Sequence, residues 1–262
     1  MGRQQPHKRK WTPWVLPMAL LAAWWAATAG QWVPPYLLPP PAQVLAAAKV
    51  YAAGDKGPMA GRFFADAAAS LVRVGAGFSL AVALGLPLGL VSGRRAAVNR
   101  FLSATINGLR AVPGIAWLPL ALVWFGIGLK TTVFLVALAA FFPVYLNAQA
   151  GARNVPELWL QAGAMMGASG ARGVFRVLVP GAMPHVVTGL RLGLGISWAY
   201  LVLGELTGVP HGLGAAIMDA RMLGRLDLIV AGILIIALLG RATDRLLVLF
   251  LTTAFSSARR RP

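Results

Sequence analysis

The stretch SLVRVGAGFSLAVALGLPLGLV, residues 70–91, carries a single charged residue, Arg73, in 22 positions. The hydrocarbon core of a bilayer is about 30 Å thick, and a helix of about 20 apolar residues crosses it. Four glycines recur along the stretch, and small residues allow membrane helices to approach each other closely. The stretch therefore predicts a transmembrane helix that packs tightly against a neighbouring helix.

The chain as a whole is also rich in apolar residues and poor in charged ones. Apolar residues make up 58% of the 262 residues and charged residues 12%, whereas a soluble domain has about 25% charged residues. This composition excludes a soluble globular enzyme and a disordered chain. We predict one all-α integral membrane domain, 1–262, with six transmembrane helices: Trp14–Val33, Ser70–Val91, Leu102–Trp124, Thr132–Ala150, Val186–Leu206 and Leu228–Leu251.

The basic residues predict the orientation of these helices. The net charge is +17; of the 24 Lys and Arg, 14 lie on the side of the N-terminus, six lie on the other side and four lie within spans. Cytoplasmic loops carry an excess of Lys and Arg. Both termini are therefore predicted to be cytoplasmic. The expected segments are basic tails at 1–13 and 252–262, an outer segment at 34–65 and a cytoplasmic loop at 151–187.

The loop at 151–187 is the most informative segment outside the spans. Glu157–Met166 has helical character but is too short and too polar to cross a bilayer, and we expect a second short helix after it. A short helix rich in small residues can fit into a cleft of a partner, which then satisfies its terminal backbone groups. A helix lying on the lipid surface is the alternative. The candidate docking residues are Glu157, Gln161, Ala162, Gly163, Gly167, Ala168, Ser169 and Pro180.

The spacing within this loop is similar to a known motif. Gln161-Ala162-Gly163, then Gly167, then Val177-x-Val179-Pro180 resembles the EAA loop of ABC importer permeases, with the pattern E-A-A-x3-G-x9-I-x-L-P. Gln161, Gly163 and Val179 replace the glutamate, the second alanine and the leucine of that pattern. In that family the loop forms coupling helices that fit a groove of the ATPase subunit.

Further segments resemble the nitrate, sulfonate and taurine branch of these permeases, from Leu37 to about Arg245. They are Leu37-Leu38-Pro39-x-Pro41, Ser70-Leu71-x-Arg73-Val74, Val112-Pro113-x2-Ala116-x2-Pro119-Leu120, Trp124-Phe125-Gly126-x-Gly128 and Gly204-Glu205 with Gly212-Leu213-Gly214.

This resemblance implies a type I ABC importer permease in the bacterial inner membrane. It implies a second permease copy in a homodimer, two ATPase subunits and a periplasmic substrate-binding protein. ATP and magnesium would bind to the partner ATPase, and this chain would bind no cofactor. The implied substrate is a small anion such as nitrate, a sulfonate, taurine or bicarbonate; an aromatic acid or a vitamin precursor is the alternative.

Charged and aromatic residues within the spans are candidates for a translocation pathway or a gate. They are Arg73, Arg110, Trp117, Trp198 and Glu205. A charge at the bilayer centre costs at least ~2.5–3.5 kcal/mol on insertion scales, so such residues usually face the bundle interior. An internal ion pair between Arg73 and Glu205 is the alternative for these two residues, and core or lipid packing is the alternative for the tryptophans.

The sequence predicts a non-catalytic chain. It contains no cysteine, no HExxH motif among its three histidines and no GxxxxGK[ST] phosphate-binding loop, so we expect neither a metal site nor ATP hydrolysis by this chain. Two other classes stay open. A secondary transporter would work without ATP and often carries internal repeats. A basic membrane anchor would bind nucleic acid or anionic lipid with strong salt dependence; because the basic clusters fit ordinary cytoplasmic flanks, we expect contact with lipid but none with nucleic acid.

Overall fold

The computed structural model describes residues 12–57 and 59–254. Within these ranges all regular structure is helical. The basic residues that anchor the two predicted tails, at 3–10 and 259–261, lie outside the described residues. The helices are α1 (Thr12–Ala29), α2 (Pro41–Ala53), α3 (Phe63–Arg94), α4 (Ala96–Ala111), α5 (Leu118–Phe125), α6 (Leu129–Asn154), α7 (Glu157–Met165), α8 (Gly170–Gly173), α9 (Val179–Glu205), α10 (Leu213–Met222) and α11 (Leu226–Ala254).

Four helices in the described part are long and apolar enough to cross a membrane: α3, α6, α11 and the continuous helix Gly170–Glu205. They contain most of the second, fourth, fifth and sixth predicted spans. The apolar part of α1, Trp14–Ala29, is shorter. The predicted first span continued to Val33, but the helix ends at Ala29, because Gln31 has a left-handed backbone with φ 54° and prolines follow at 34 and 35.

The predicted third span, Leu102–Trp124, is not one straight helix. Helix α4 ends at Ala111, and a 3₁₀ turn at Gly114–Trp117 leads into α5, so the two halves are bent by 88°. Pro113 explains the break, because it has no N–H to donate and disfavours helical backbone at the residue before it. Val112 is indeed extended. Irregular backbone at membrane depth is tolerated where it is buried in protein or lines a cavity.

The predicted second surface helix is not separate from the fifth span. Helix α8, a π-helical turn at Val174–Leu178 and α9 form one helix of 36 residues. A proline ring clashes with the carbonyl group four residues earlier. For Pro180 that residue is Arg176, which lies inside the wider π turn, so the helix continues through the proline.

Helices α3, α6 and α9 form the centre of the bundle through glycines at their contacts. A Cβ atom at Gly77 would lie 2.6 Å from Val136 Cβ, and one at Gly89 would lie 2.5 Å from the carbonyl oxygen of Tyr145. One at Gly189 would lie 2.5 Å from Asn147 Cβ. The close packing predicted from the glycines of 70–91 is confirmed at Gly77 and Gly89, whereas a Cβ at Gly75 would have no neighbour within 4 Å. We name the two ends of the bundle the Glu205 end, where α9 finishes, and the α7 end.

We expect Gly89→Ala to destabilise the chain by about 1–3 kcal/mol, because the added methyl group overpacks the contact between α3 and α6. Gly75→Ala, in the same helix, is the matched control, since a Cβ there has no neighbour within 4 Å. That control should be neutral or stabilising, because alanine favours helix over glycine by about 1 kcal/mol. Thermal unfolding in detergent measures both; equal effects would contradict the packing argument.

Candidate functional site

At the α7 end, α7 presents an apolar surface. Leu158 and Met165 of α7 are 71% and 88% exposed, and Met166, which follows the helix, is 82% exposed. Gln161 and Ala162 are also exposed, as are Gly167 and Ser169 in the turn that follows. Large exposed apolar patches mark contact sites for proteins or membranes.

The turn after α7 is tightly constructed. The N–H of Ala168 donates to the carbonyl oxygen of Gly163 at 2.8 Å, and that of Gly167 donates to Ala164 at 3.0 Å. Gly167 has φ +81°, a left-handed conformation that favours glycine. Gly163 is buried, and a Cβ there would lie 2.8 Å from Val177 Cγ2. The small residues of the predicted motif therefore hold α7 against the π turn.

The remaining docking candidates, Glu157, Ala168 and Pro180, are held by contacts with the rest of the chain or are half-buried. Glu157, at the start of α7, forms an ion pair with Arg94 at the end of α3. Arg94 also reaches the carbonyl oxygen of Val155 at 3.5 Å. Ala168 and Pro180 are half-buried. These contacts fix the position of α7 relative to the central bundle.

A second feature is a cavity of about 320 Å³ beside the break between α4 and α5. Arg110 and Trp117, two of the predicted pathway residues, both line it. Tyr200 of α9 also lines it, and the other lining residues are Val112, Gly114, Leu138, Ala139, Phe142, Pro143, Leu146 and Ile196. The cavity is therefore mainly apolar, with one guanidinium group and one phenol.

The other predicted pathway residues lie away from this cavity. Arg73 and Glu205 form an ion pair at the Glu205 end, with Nη1 and Oε1 2.6 Å apart. Arg73 is 8% exposed and Glu205 is fully buried. Trp198 is also buried and donates its indole N–H to the Thr243 hydroxyl of α11 at 3.1 Å.

The ion pair belongs to a larger buried network. Glu205 also accepts hydrogen bonds from the Ser70 hydroxyl at 2.8 Å and from the Gly214 N–H at 2.8 Å. Arg73 donates to the carbonyl oxygen of His211 at 2.6 Å. The network thus joins α3, α9 and the loop before α10. Sequence reasoning named Arg73 and Glu205 but did not identify Ser70 as a member.

A second group of buried hydrogen bonds, centred on Asp66, was not predicted from the sequence. This fully buried carboxylate accepts hydrogen bonds from the Tyr51 hydroxyl at 2.8 Å and from the Gly212 N–H at 3.0 Å. Burial, together with this hydrogen bond, raises the pKa of the Tyr51 phenol. Gly212 has φ +148°, and a Cβ there would lie 2.5 Å from the Glu205 carboxyl carbon. The only sequence signal for this group of hydrogen bonds was the acidic residue at its centre, Asp66, near the start of an apolar helix.

Comparison with known proteins identifies the family. Residues 85–253 match the family described as "Binding-protein-dependent transport system inner membrane component". The chain is 39% identical to the taurine transport system permease protein TauC of Escherichia coli over 84% of this chain and 80% of the relative. It is 33% identical to the putative aliphatic sulfonates transport permease protein SsuC of Bacillus subtilis over 92% of this chain and 87% of the relative.

The fold has a counterpart among solved structures. A chain from inward-facing conformations of the MetNI methionine ABC transporter matches with a TM-score of 0.60 at 22% identity, covering 73% of this chain and 97% of that chain. At this identity the likeness concerns the fold alone. The sequence matches carry the assignment: this chain belongs to the family of binding-protein-dependent transport system inner membrane components.

Proposed function

We propose that this chain is the transmembrane subunit of an ATP-driven importer for a small anion. It crosses the membrane six times, with α1 as the first span and the bent pair of α4 and Gly114–Phe125 as the third, and both termini lie in the cytoplasm. The excess of basic residues on the N-terminal side supports this orientation. On this topology the α7 end faces the cytoplasm and the Glu205 end faces outward.

The exposed apolar surface of α7 is the observation that carries the proposal. This surface docks on an ATPase subunit, one for each of two permease copies, and ATP and magnesium bind to that partner. The ion pair of Glu157 with Arg94 and the tight turn after α7 allow α7 to transmit a push from the ATPase to α3 as a rigid body. Gln161, in the place of the motif's glutamate, is exposed and contributes no charge to the docking surface.

The substrate is a small anion of the taurine, sulfonate, nitrate or bicarbonate class, delivered by a periplasmic binding protein. The relatives named for taurine and aliphatic sulfonates support this class. An aromatic acid or a vitamin precursor carried by the same mechanism is the alternative substrate. The chain itself makes no covalent change to what it transports.

Purification and reconstitution test this proposal. The tagged chain should co-purify from mild detergent with an ATPase at one copy per permease. Proteoliposomes containing that complex and its binding protein should take up at least one of taurine, methanesulfonate, nitrate and bicarbonate only when ATP is supplied. Uptake of an anion by the purified chain alone, without ATP, would instead support a secondary transporter and contradict the proposal.

A further inference from the structure

We propose that the cavity beside Arg110 is an anion site within the membrane, and that Arg110 with Tyr200 binds the negatively charged group of the substrate in transit. This inference rests on the proposed function, and it assigns part of the substrate selection to the permease itself. A cation in an otherwise apolar cavity attracts an anion and repels a cation, and the surrounding apolar side chains strengthen both effects by lowering the local dielectric constant.

The position of the cavity supports a role in transport. Its α6 lining runs from Leu138 to Leu146, inside a helix that spans Leu129–Asn154. At 1.5 Å per residue, these residues lie at least about 12 Å along the axis from either end of the helix. The cavity is therefore near the middle of the bundle, and it opens on the surface of the single chain. In a two-fold dimer such a surface cavity can face a shared pathway.

None of the acidic side chains in the described part of the chain pairs with Arg110. All seven acidic residues lie in the described part. Six of them pair with other cations, and Asp55 lies in the loop after α2, at the Glu205 end. Arg110 itself forms no ion pair or hydrogen bond among the described residues. An uncompensated charge at membrane depth is a functional-site hypothesis by default, and here the missing counter-charge is an anion.

The opposite wall of the cavity supplies a hydrogen-bond donor. Tyr200 lines the cavity, and its hydroxyl has no hydrogen-bond partner among the described residues. A Cβ at Gly114 would clash with that hydroxyl oxygen, so glycine at position 114 leaves the phenol room to reach this place. The break between α4 and α5 therefore brings a guanidinium group and a phenol to the same apolar cavity.

Arg73 cannot serve in the same way. Its guanidinium group already contacts Glu205 and the carbonyl oxygen of His211, so its charge is neutralised in the ion pair. Of the two arginines predicted to attract an anion, Arg110 is the one whose charge is available.

Thiol labelling of the full-length chain in lipid nanodiscs tests the local charge directly. The chain has no cysteine, so Ala139→Cys places a single thiol in the cavity lining. The anionic reagent sulfonatoethyl methanethiosulfonate should modify this thiol at least about tenfold faster than cationic trimethylammonioethyl methanethiosulfonate, after correction for their reactivity with free thiol in solution. Adding Arg110→Gln should abolish the preference, whereas adding Arg110→Lys should retain it.

The assembled complex supplies the second part of the test. In the ATP-driven uptake assay described above, Arg110→Lys should retain part of the anion uptake, and Arg110→Gln should lose at least about tenfold, a change of 1.4 kcal/mol. Tyr200→Phe should raise the KM for the anion. Normal uptake by Arg110→Gln, or a thiol that shows no anion preference, would overturn the anion site while leaving the ATP-driven importer in place. Loss of ATP dependence in the unchanged chain would instead overturn the proposed function.

Discussion

Arg73→Met should destabilise the folded chain by about 3–5 kcal/mol, the usual cost of removing one partner from a buried ion pair. The variant leaves the fully buried carboxylate of Glu205 without its cation. It also removes the donor to the carbonyl oxygen of His211. Unfolding of the purified chain in detergent, followed by heat or by denaturant, measures the loss.

The same helix bundle offers a matched control. Arg241 forms an ion pair with Asp244 at 3.1 Å, but its side chain is 59% exposed and Asp244 retains a second partner in Arg191. Exposed pairs contribute about 0–1 kcal/mol, so Arg241→Met should have little effect. Arg73→Met combined with Glu205→Gln should recover most of the lost stability, because no buried charge is then left unpaired.

The result distinguishes two roles for Arg73. A stable Arg73→Met variant that folds normally but fails to transport would indicate a substrate contact and would contradict the structural role. A destabilised variant that the second substitution rescues would support a structural role for the Arg73–Glu205 ion pair, which joins α3 and α9. Because Arg73 also donates to the carbonyl oxygen of His211 in the loop before α10, we expect limited proteolysis to cut that loop faster in Arg73→Met.

The sequence was sufficient to predict the long helices, because their formation depends on residues that are close together in the chain. Long apolar runs predicted α3, α6, α9 and α11 because membrane helices satisfy their own backbone hydrogen bonds and need only length and hydropathy. The predicted helix boundaries were wrong near two prolines, because the effect of a proline depends on the backbone of the residues before it. Pro113 breaks the predicted third span, whereas Pro180 is accommodated by a π turn; hydropathy alone does not distinguish these two outcomes.

The candidate sites also differ in how far apart their residues lie in the sequence. The motif predicted to dock on a partner could be recognised because its small residues lie close together in the sequence. Within it, the N–H of Ala168 donates a hydrogen bond to the carbonyl oxygen of Gly163. The bond from Gly212 to Asp66 joins residues 146 positions apart, so spacing could not predict it. The cavity was missed for a related reason: Arg110 of α4 and Tyr200 of α9 line it together beside the 88° bend between α4 and Gly114–Phe125, and the sequence does not show that bend.

Ala162→Glu should abolish ATP-driven uptake by uncoupling the permease from its ATPase. Ala162 is exposed on α7, so the substitution adds no strain and glutamate is a good helix former. In the proposed docked state, however, the carboxylate would be buried without a partner, which costs several kcal/mol. We expect the affinity for the ATPase to fall by at least about 100-fold, since each 1.4 kcal/mol is a factor of ten.

Position 162 tests docking better than position 167 does. Gly167→Glu should also abolish coupling, but the φ of +81° at Gly167 strains any side chain there, so a loss could come from a distorted turn. Ala97→Glu is the matched control, because Ala97 is an exposed helical residue at the same end of the bundle, on α4. Co-purification of the ATPase and substrate-stimulated ATP hydrolysis should be lost in Ala162→Glu and retained in Ala97→Glu. Because both variants add the same charge to the same end of the chain, retention of both properties in Ala162→Glu would show that α7 does not form the docking surface.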